Sequence, residues 1–212
     1  MDSFPLLPAD FDVQDVIDSR VSPYQDARGL IMQEVGKATT SIYVADFGWT
    51  MPDLQELLIQ KAASGVRVVI VLDHSQSAGS TEHPLVASLV DAARSTPLLS
   101  VVIATSPESH AIMHLKTVCI DGTVTISGSF NLSGKDDHAG AQREVNQVDV
   151  IRSHKRALYY TGYIMIVHDF ALTHEPQYQI VPPEATIAAS TAPPEVATGA
   201  VERTPDPSTA SS

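Results

Sequence analysis

The sequence predicts an α/β fold: a mixed, mostly parallel sheet flanked by helices on both faces, in a single domain followed by a disordered tail. Three observations predict it. Helix-period and strand-period segments alternate between residues 25 and 170. The strand segments are nearly all apolar, as in VRVVIVL at 66–72, which is the pattern of strands covered on both sides. Composition then changes sharply near residue 181.

The elements follow in order. Residues 25–38 place Ala27, Leu30, Ile31, Glu34 or Val35, and Ala38 at helical spacing, and 39–47 (TTSIYVADF) is rich in β-branched and aromatic residues, so a helix feeds a strand. Thr50 is expected to cap the next helix, with Pro52 and Asp53 in its first turn, Leu54, Leu57, Leu58 and Ala62 on its apolar face, and Gly65 closing it. A buried strand at 66–72, a helix at about 84–94 and a strand at about 98–104 come next. Segments 115–120 and 123–127 flank Asp121 and Gly122, a pair suited to a type I′ turn, and predict a hairpin. A strand at 147–151 and an amphipathic helix from 154 to about 170 complete a domain spanning 23–180. Residues 1–22 are read as an N-terminal extension. Residues 181–212 contain no aromatic residue and hold six of the 14 prolines among Ala, Thr and Ser, too little apolar surface to offset the entropy of ordering them.

The 212 residues carry 13 Lys and Arg against 25 Asp and Glu, a formal net charge of −12. The tail contributes −3 of this, so the acidity belongs mostly to the folded part. A hydrophobic content of 43% with 18% charged residues fills a core and excludes a wholly disordered acidic chain. The acidic balance counts against tight, non-specific binding to nucleic acid or anionic membrane, both of which depend on clustered Lys and Arg. The single cysteine, Cys119, makes no internal disulfide, and the acidic MDSFPLLPADFD lacks the basic region of a signal peptide, so a cytoplasmic protein is expected. No apolar run approaches the roughly 20 residues of a membrane-spanning helix, and no stable membrane association is expected.

The informative stretch is HLKTVCIDGTVTISGSFNLS, residues 114–133. Side chains alternate along a strand, so His114 and Lys116 project from one face at a spacing of roughly 6 to 7 Å. An antiparallel return strand brings Gly128, Ser129 and Asn131 back beside His114. An imidazole nucleophile, an ammonium and neutral donors around one point describe phosphoryl transfer, for which no metal or other cofactor is required. The pattern His114-x-Lys116-x4-Asp121-x6-Gly128-Ser129-x-Asn131 arises by chance in roughly 1 in 10⁵ chains of this size. It resembles the HKD signature of the phospholipase D superfamily. The resemblance covers roughly residues 25–172, because the order of helices and strands leading to the motif is also similar.

The resemblance implies a two-step transfer through a phosphohistidine, with two HKD motifs forming one active site. One histidine attacks phosphorus; the other protonates the leaving oxygen and then activates water. A single copy in this chain implies a homodimer with two His114 side chains facing each other across the two-fold axis. By the same resemblance, Lys116 and Asn131 bind phosphate oxygens, Ser129 supports that site, and Asp121 is orienting or structural. A carboxylate beyond the motif usually holds the nucleophilic histidine. Glu144 is the nearest candidate, and alignment on the strand VDVI puts Asn146 there instead. Short single-motif chains resemble metal-independent, non-specific endonucleases, which makes DNA the first expected substrate. A lipid phosphodiester and a small or cyclic nucleotide are the alternatives. A catalytically silent dimeric binding module is the non-enzymatic one, and the retention of His114, Lys116, Ser129 and Asn131 together stands against it.

Other residues have plainer readings beside functional ones. His110 and His114 stand four apart as a zinc pair would, but the Ser-Pro before them and the strand after them disfavour a helix, and no third ligand is placed. Asp73 ends a buried strand, where open α/β sheets hold ligands, and is equally a turn-forming aspartate. Cys119 alternates onto the face away from Lys116 and reads as a buried structural thiol. Trp49 reads as core before it reads as a base-stacking ring. Lys135, Arg143, Arg152, Lys155 and Arg156 would make a basic lip, although a solvated face is the commoner explanation.

Overall fold

The computed structural model describes residues 15–106, 108, 111–133 and 144–180. In chain order these form β1 (Asp15–Ser22), α1 (Ala27–Gly36), β2 (Ser41–Asp46), α2 (Pro52–Ala63), β3 (Arg67–Asp73), the single turn α3 (His74–Ser77), α4 (His83–Ser95) and β4 (Leu99–Ala104). The hairpin β5 (Lys116–Ile120) and β6 (Val124–Gly128), β7 (Asn146–Arg152), α5 (His154–His174) and a 3-10 turn at Pro176–Tyr178 follow. The loop carrying Lys135 and Arg143, residue His110 and the proposed tail lie outside the described residues.

The described strands form one sheet in the order β1-β7-β6-β5-β2-β3-β4. β3 pairs in parallel with β2 and with β4, and the other four pairings are antiparallel. Five strands nevertheless point the same way, because β5 and β7 alone among the described strands are reversed. Side-chain alternation divides the core into two layers. Ile42, Val44, Val68, Ile70 and Val118 pack with α1, α2 and α4 on one face, while Ala45, Val71, Val102 and Cys119 pack with Ile164 and Ala171 of α5 on the other. Arg28 of α1 joins Asp53 of α2 through a 2.7 Å ion pair across the first layer.

β1 lies within residues 1–22, where an N-terminal extension is expected from the sequence. It is an edge strand paired to β7 from Asp15↔Arg152 to Ser22↔Asn146, with a shift in register between Val16 and Asp18. Seven of its eight residues are exposed or half-buried, so backbone pairing holds it and no alternating apolar signature advertises it. The opposite edge, β4, is covered differently. The Gln179 side chain accepts from Ile103 N–H (3.0 Å) and donates to Ile103 C=O (2.6 Å), taking up the bonds a further strand would make.

The cap of α2 is also displaced. Met51, not Thr50, is its N-cap, and no side chain caps it. Thr50 N–H instead donates to Leu132 C=O at 2.9 Å, so this backbone is committed to the loop that follows β6. The hairpin turn has the expected form. Asp121 and Gly122 have φ of 51° and 62°, the left-handed values a type I′ turn demands, and Thr123 N–H donates to Ile120 C=O at 3.0 Å.

Candidate active site

The hairpin register runs from Ile120↔Val124 to Thr117↔Ser127 and so carries Lys116 and Gly128 to the same end. β5 pairs with β2 at that end, placing Lys116 opposite Asp46. The two halves of the motif therefore meet where β2 and β3 terminate, at the carboxyl end of the parallel strands. Asp46, Lys116, Gly128, Phe130 and Leu132 line a small depression there.

Phe47, the residue after β2, seats the two leading side chains. The exposed His114 ring meets it edge-on, with centroids 4.7 Å apart and planes at 68°. Lys116 Nζ lies 5.1 Å from the same ring and donates to His114 C=O at 3.3 Å. Burial lowers the Lys116 pKa, while the carboxylates of Asp46 and Asp73 work in the opposite direction and favour its charged form.

The return strand supplies the neutral groups. Gly128 is required by close approach, since a Cβ there would stand 1.9 Å from Gln147 C=O on β7. Ser129 is bound to the same strand: its N–H donates to Gln147 C=O, and its hydroxyl accepts from Gln147 N–H, each at 3.0 Å. The hydroxyl also donates to Asn146 Oδ1 at 3.0 Å, and Asn146 Nδ2 reaches Glu144 Oε2 at 3.4 Å. Of the two residues weighed beyond the motif, Asn146 is thus the one that touches it, and the exposed Glu144 acts on Asn146. Asn131 is half-buried, and its Oδ1 is buried without a hydrogen-bond partner among the described residues.

Asp121 is not brought to the site. It lies across the whole of β5 from Lys116, roughly 17 Å along an extended strand. Its carboxylate accepts from the N–H and hydroxyl of Thr39, the N–H and hydroxyl of Thr40, and the N–H of Ser41, at 2.8 to 2.9 Å. Partial burial opposes its ionisation, but the donors from Ser41, Thr40 and Thr39 win and hold its pKa well below the usual carboxylate range. These bonds tie the hairpin turn to the start of β2.

Two buried carboxylates stand under the site instead. Asp73 Oδ1 accepts from Ser75 and Gln76 N–H, capping α3, while Oδ2 accepts from Met113 N–H at 2.9 Å and fixes the residue before His114. Asp46, 1% exposed, accepts from Gly48 N–H at 2.9 Å and Leu132 N–H at 3.1 Å through Oδ1. Burial pushes its pKa well up, against those two bonds and the charge of Lys116. Asp73 is legible in the sequence as a carboxylate ending a buried strand, whereas Asp46 and Phe47 emerge from the fold. The available signal was a carboxylate closing the otherwise apolar strand SIYVAD.

The remaining candidates fall elsewhere. Trp49 is fully buried and donates from Nε1 to Gln55 at 2.9 Å, so it is core. Cys119 faces α5, and burial pushes its thiol up to about 11. Arg152 pairs with Val124 and Asp15, at the end of β6 remote from Gly128. Arg156 stacks on Tyr160 and reaches Ser127 on the α5 side. Lys155 is next to it at the start of α5. Among the described residues, no three His, Cys, Asp or Glu side chains converge on a point that would hold a metal ion.

Residues 31–158 match the family described as cardiolipin synthase, PLD-like domain. No curated protein matches the chain. Among solved structures it is similar to Nuc from Salmonella typhimurium, a phospholipase D family member, at 22% identity and a TM-score of 0.61, covering 74% of this chain and 95% of that one. It is also similar to NucT from Helicobacter pylori, at 18% identity and a TM-score of 0.60, covering 72% and 94%. The likenesses show a shared fold, and the family match spans the hairpin that carries His114 and Lys116. The chain belongs to the phospholipase D-like family, and within it resembles Nuc.

Proposed function

We propose that the protein is a metal-independent phosphodiesterase that cleaves DNA through a phosphohistidine at His114, in an active site completed by a second copy of the chain. Family membership supports phosphodiester hydrolysis. The observation that carries the finer reading is the convergence of His114, Lys116, Ser129 and Asn131 at one end of one hairpin.

In the first step an imidazole nitrogen of one His114 attacks phosphorus, and the leaving oxygen takes a proton from the second copy's imidazole. In the second, that now neutral imidazole removes a proton from water, which displaces His114 and releases a phosphomonoester. Lys116 and the Asn131 amide bind the non-bridging oxygens, where charge builds in both transition states. Ser129 holds the return strand in place through Gln147 and Asn146. The chain offers one such histidine, and His114 is exposed. Ile112 and Val145, neighbours of the site in sequence, are 46% and 69% exposed, an apolar rim suited to a second copy. Among the described residues Lys116 is the cation placed at the site, which favours weak substrate binding or short substrates over long duplex DNA.

The test is nicking of plasmid and oligonucleotide DNA in excess EDTA by wild type and His114→Ala. Cleavage that survives chelation and is lost in His114→Ala is expected. Cleavage abolished by EDTA would overturn the mechanism. Hydrolysis of a phosphatidyl ester with DNA and RNA spared would overturn the substrate.

A further inference from the structure

We propose that Asp46 is a positioning residue of the phosphate site, holding the Asn131 loop against Lys116 from beneath. The inference rests on the phosphodiesterase reading above. Asp46 touches neither His114 nor Lys116 by hydrogen bond; it acts through the backbone around them. One oxygen, Oδ1, takes Gly48 N–H at 2.9 Å within its own corner and Leu132 N–H at 3.1 Å from a loop 86 residues away. Leu132 C=O in turn takes Thr50 N–H at 2.9 Å. The residue after Asn131 is thus clamped from both sides by the corner that follows β2. Asn131 itself lies against that corner, with its Cβ 3.5 Å from where a side chain on Gly48 would begin.

A neutral acceptor would suffice for these two bonds, and burying a carboxylate is costly. The charge acquires a purpose from the β2–β5 register, which sets Asp46 directly across from Lys116. The charged groups reaching Asp46 are Lys116 from β5 and Glu82 from the turn before α4; Asp73, at the end of β3, also reaches Lys116. An Asp46 anion favours the protonated ammonium, so its removal lowers the pH at which Lys116 loses its proton. The two functions separate by substitution: Asp46→Asn keeps an acceptor and removes the charge, while Asp46→Leu removes both with the same number of side-chain heavy atoms.

The experiment measures kcat and KM for bis(p-nitrophenyl) phosphate across pH in the full chain, together with amide hydrogen exchange at Leu132 and Gly48. Asp46→Asn is expected to keep both amides protected and to move the alkaline limb of the rate profile to lower pH. Asp46→Leu is expected to expose Leu132 N–H to exchange and to lose about 10- to 100-fold in kcat/KM, mostly in kcat, as displaced catalytic groups do. A folded Asp46→Leu with fast exchange at Leu132 and wild-type kcat/KM overturns the proposal. Should Asp46→Leu fail to fold, a wild-type Leu132 amide that exchanges as fast as an unprotected one overturns it. A wild type inactive on every phosphodiester overturns the underlying reading instead, and the exchange pattern then judges the Leu132 clamp by itself.

Discussion

Asp121 and His114 belong to one sequence motif but stand at opposite ends of β5, and their substitution should fail in different ways. Asp121 receives five hydrogen bonds from Thr39, Thr40 and Ser41, and its folded pKa is depressed. The stabilisation from a depressed carboxylate is fully present above its unfolded value, about 4, and is lost as pH falls from there through the folded value. Asp121→Ala should therefore cost about 1 kcal/mol at neutral pH, the scale of hydrogen bonds to a charged group discounted for its exposure to solvent. Urea unfolding checks this: the gap between wild type and variant should shrink steadily below about pH 4. A gap unchanged between pH 7 and pH 3 would rule the carboxylate out as its source. The motif was readable in the sequence because fixed spacings on a hairpin imply proximity. Asp46 was not, because its importance lies in a bond to Leu132 that only the folded β2 corner creates. Asp121 illustrates the converse, since a motif position need not be a position in the site.

At the scale of elements, the meeting of β6 and β7 is the joint on which the site depends. Gly128→Ala would place a methyl 1.9 Å from a backbone carbonyl that cannot rotate away. The strands must separate, and with them the Ser129 bonds to Gln147 and Asn146. A loss of about 3 kcal/mol is expected, at the upper end for overpacking. Gly48→Ala is the control, because its methyl meets Asn131 at 3.5 Å, an ordinary contact, and should change stability by less than about 1 kcal/mol. Thermal melts of both variants test the pair, and equal melting temperatures would refute the steric account. Periodicity located α1, α2, α4 and α5 because each buries one apolar stripe against the sheet. It passed over β1, whose side chains are mostly solvated and whose place is set by backbone bonds to β7. It misplaced the α2 cap because Thr50 is drawn to Leu132, a tertiary bond with no local trace.

At the scale of the whole molecule, the net charge of −12 and the single histidine motif point to the same arrangement. An acidic surface attracts no phosphate backbone at long range, so positive charge has to be concentrated where phosphorus is attacked. The proposed two-fold assembly would do this by bringing two Lys116 and two His114 side chains to one cleft. The arrangement has a quantitative signature. If both histidines are needed, a dimer containing one His114→Ala chain is inactive. After free exchange of equal amounts of wild type and His114→Ala, only about one quarter of dimers carry two intact histidines, so activity per wild-type chain should fall to about half. Raising the variant to a ninefold excess should reduce it to about one tenth, whereas independent monomers would show no decline at any ratio. Subunit mixing with a plasmid-nicking readout, run beside sedimentation at the same concentrations, checks both the assembly and the shared site. Activity proportional to wild-type chain alone, in a sample that sediments as a dimer, would leave the assembly standing and remove the second histidine from the mechanism.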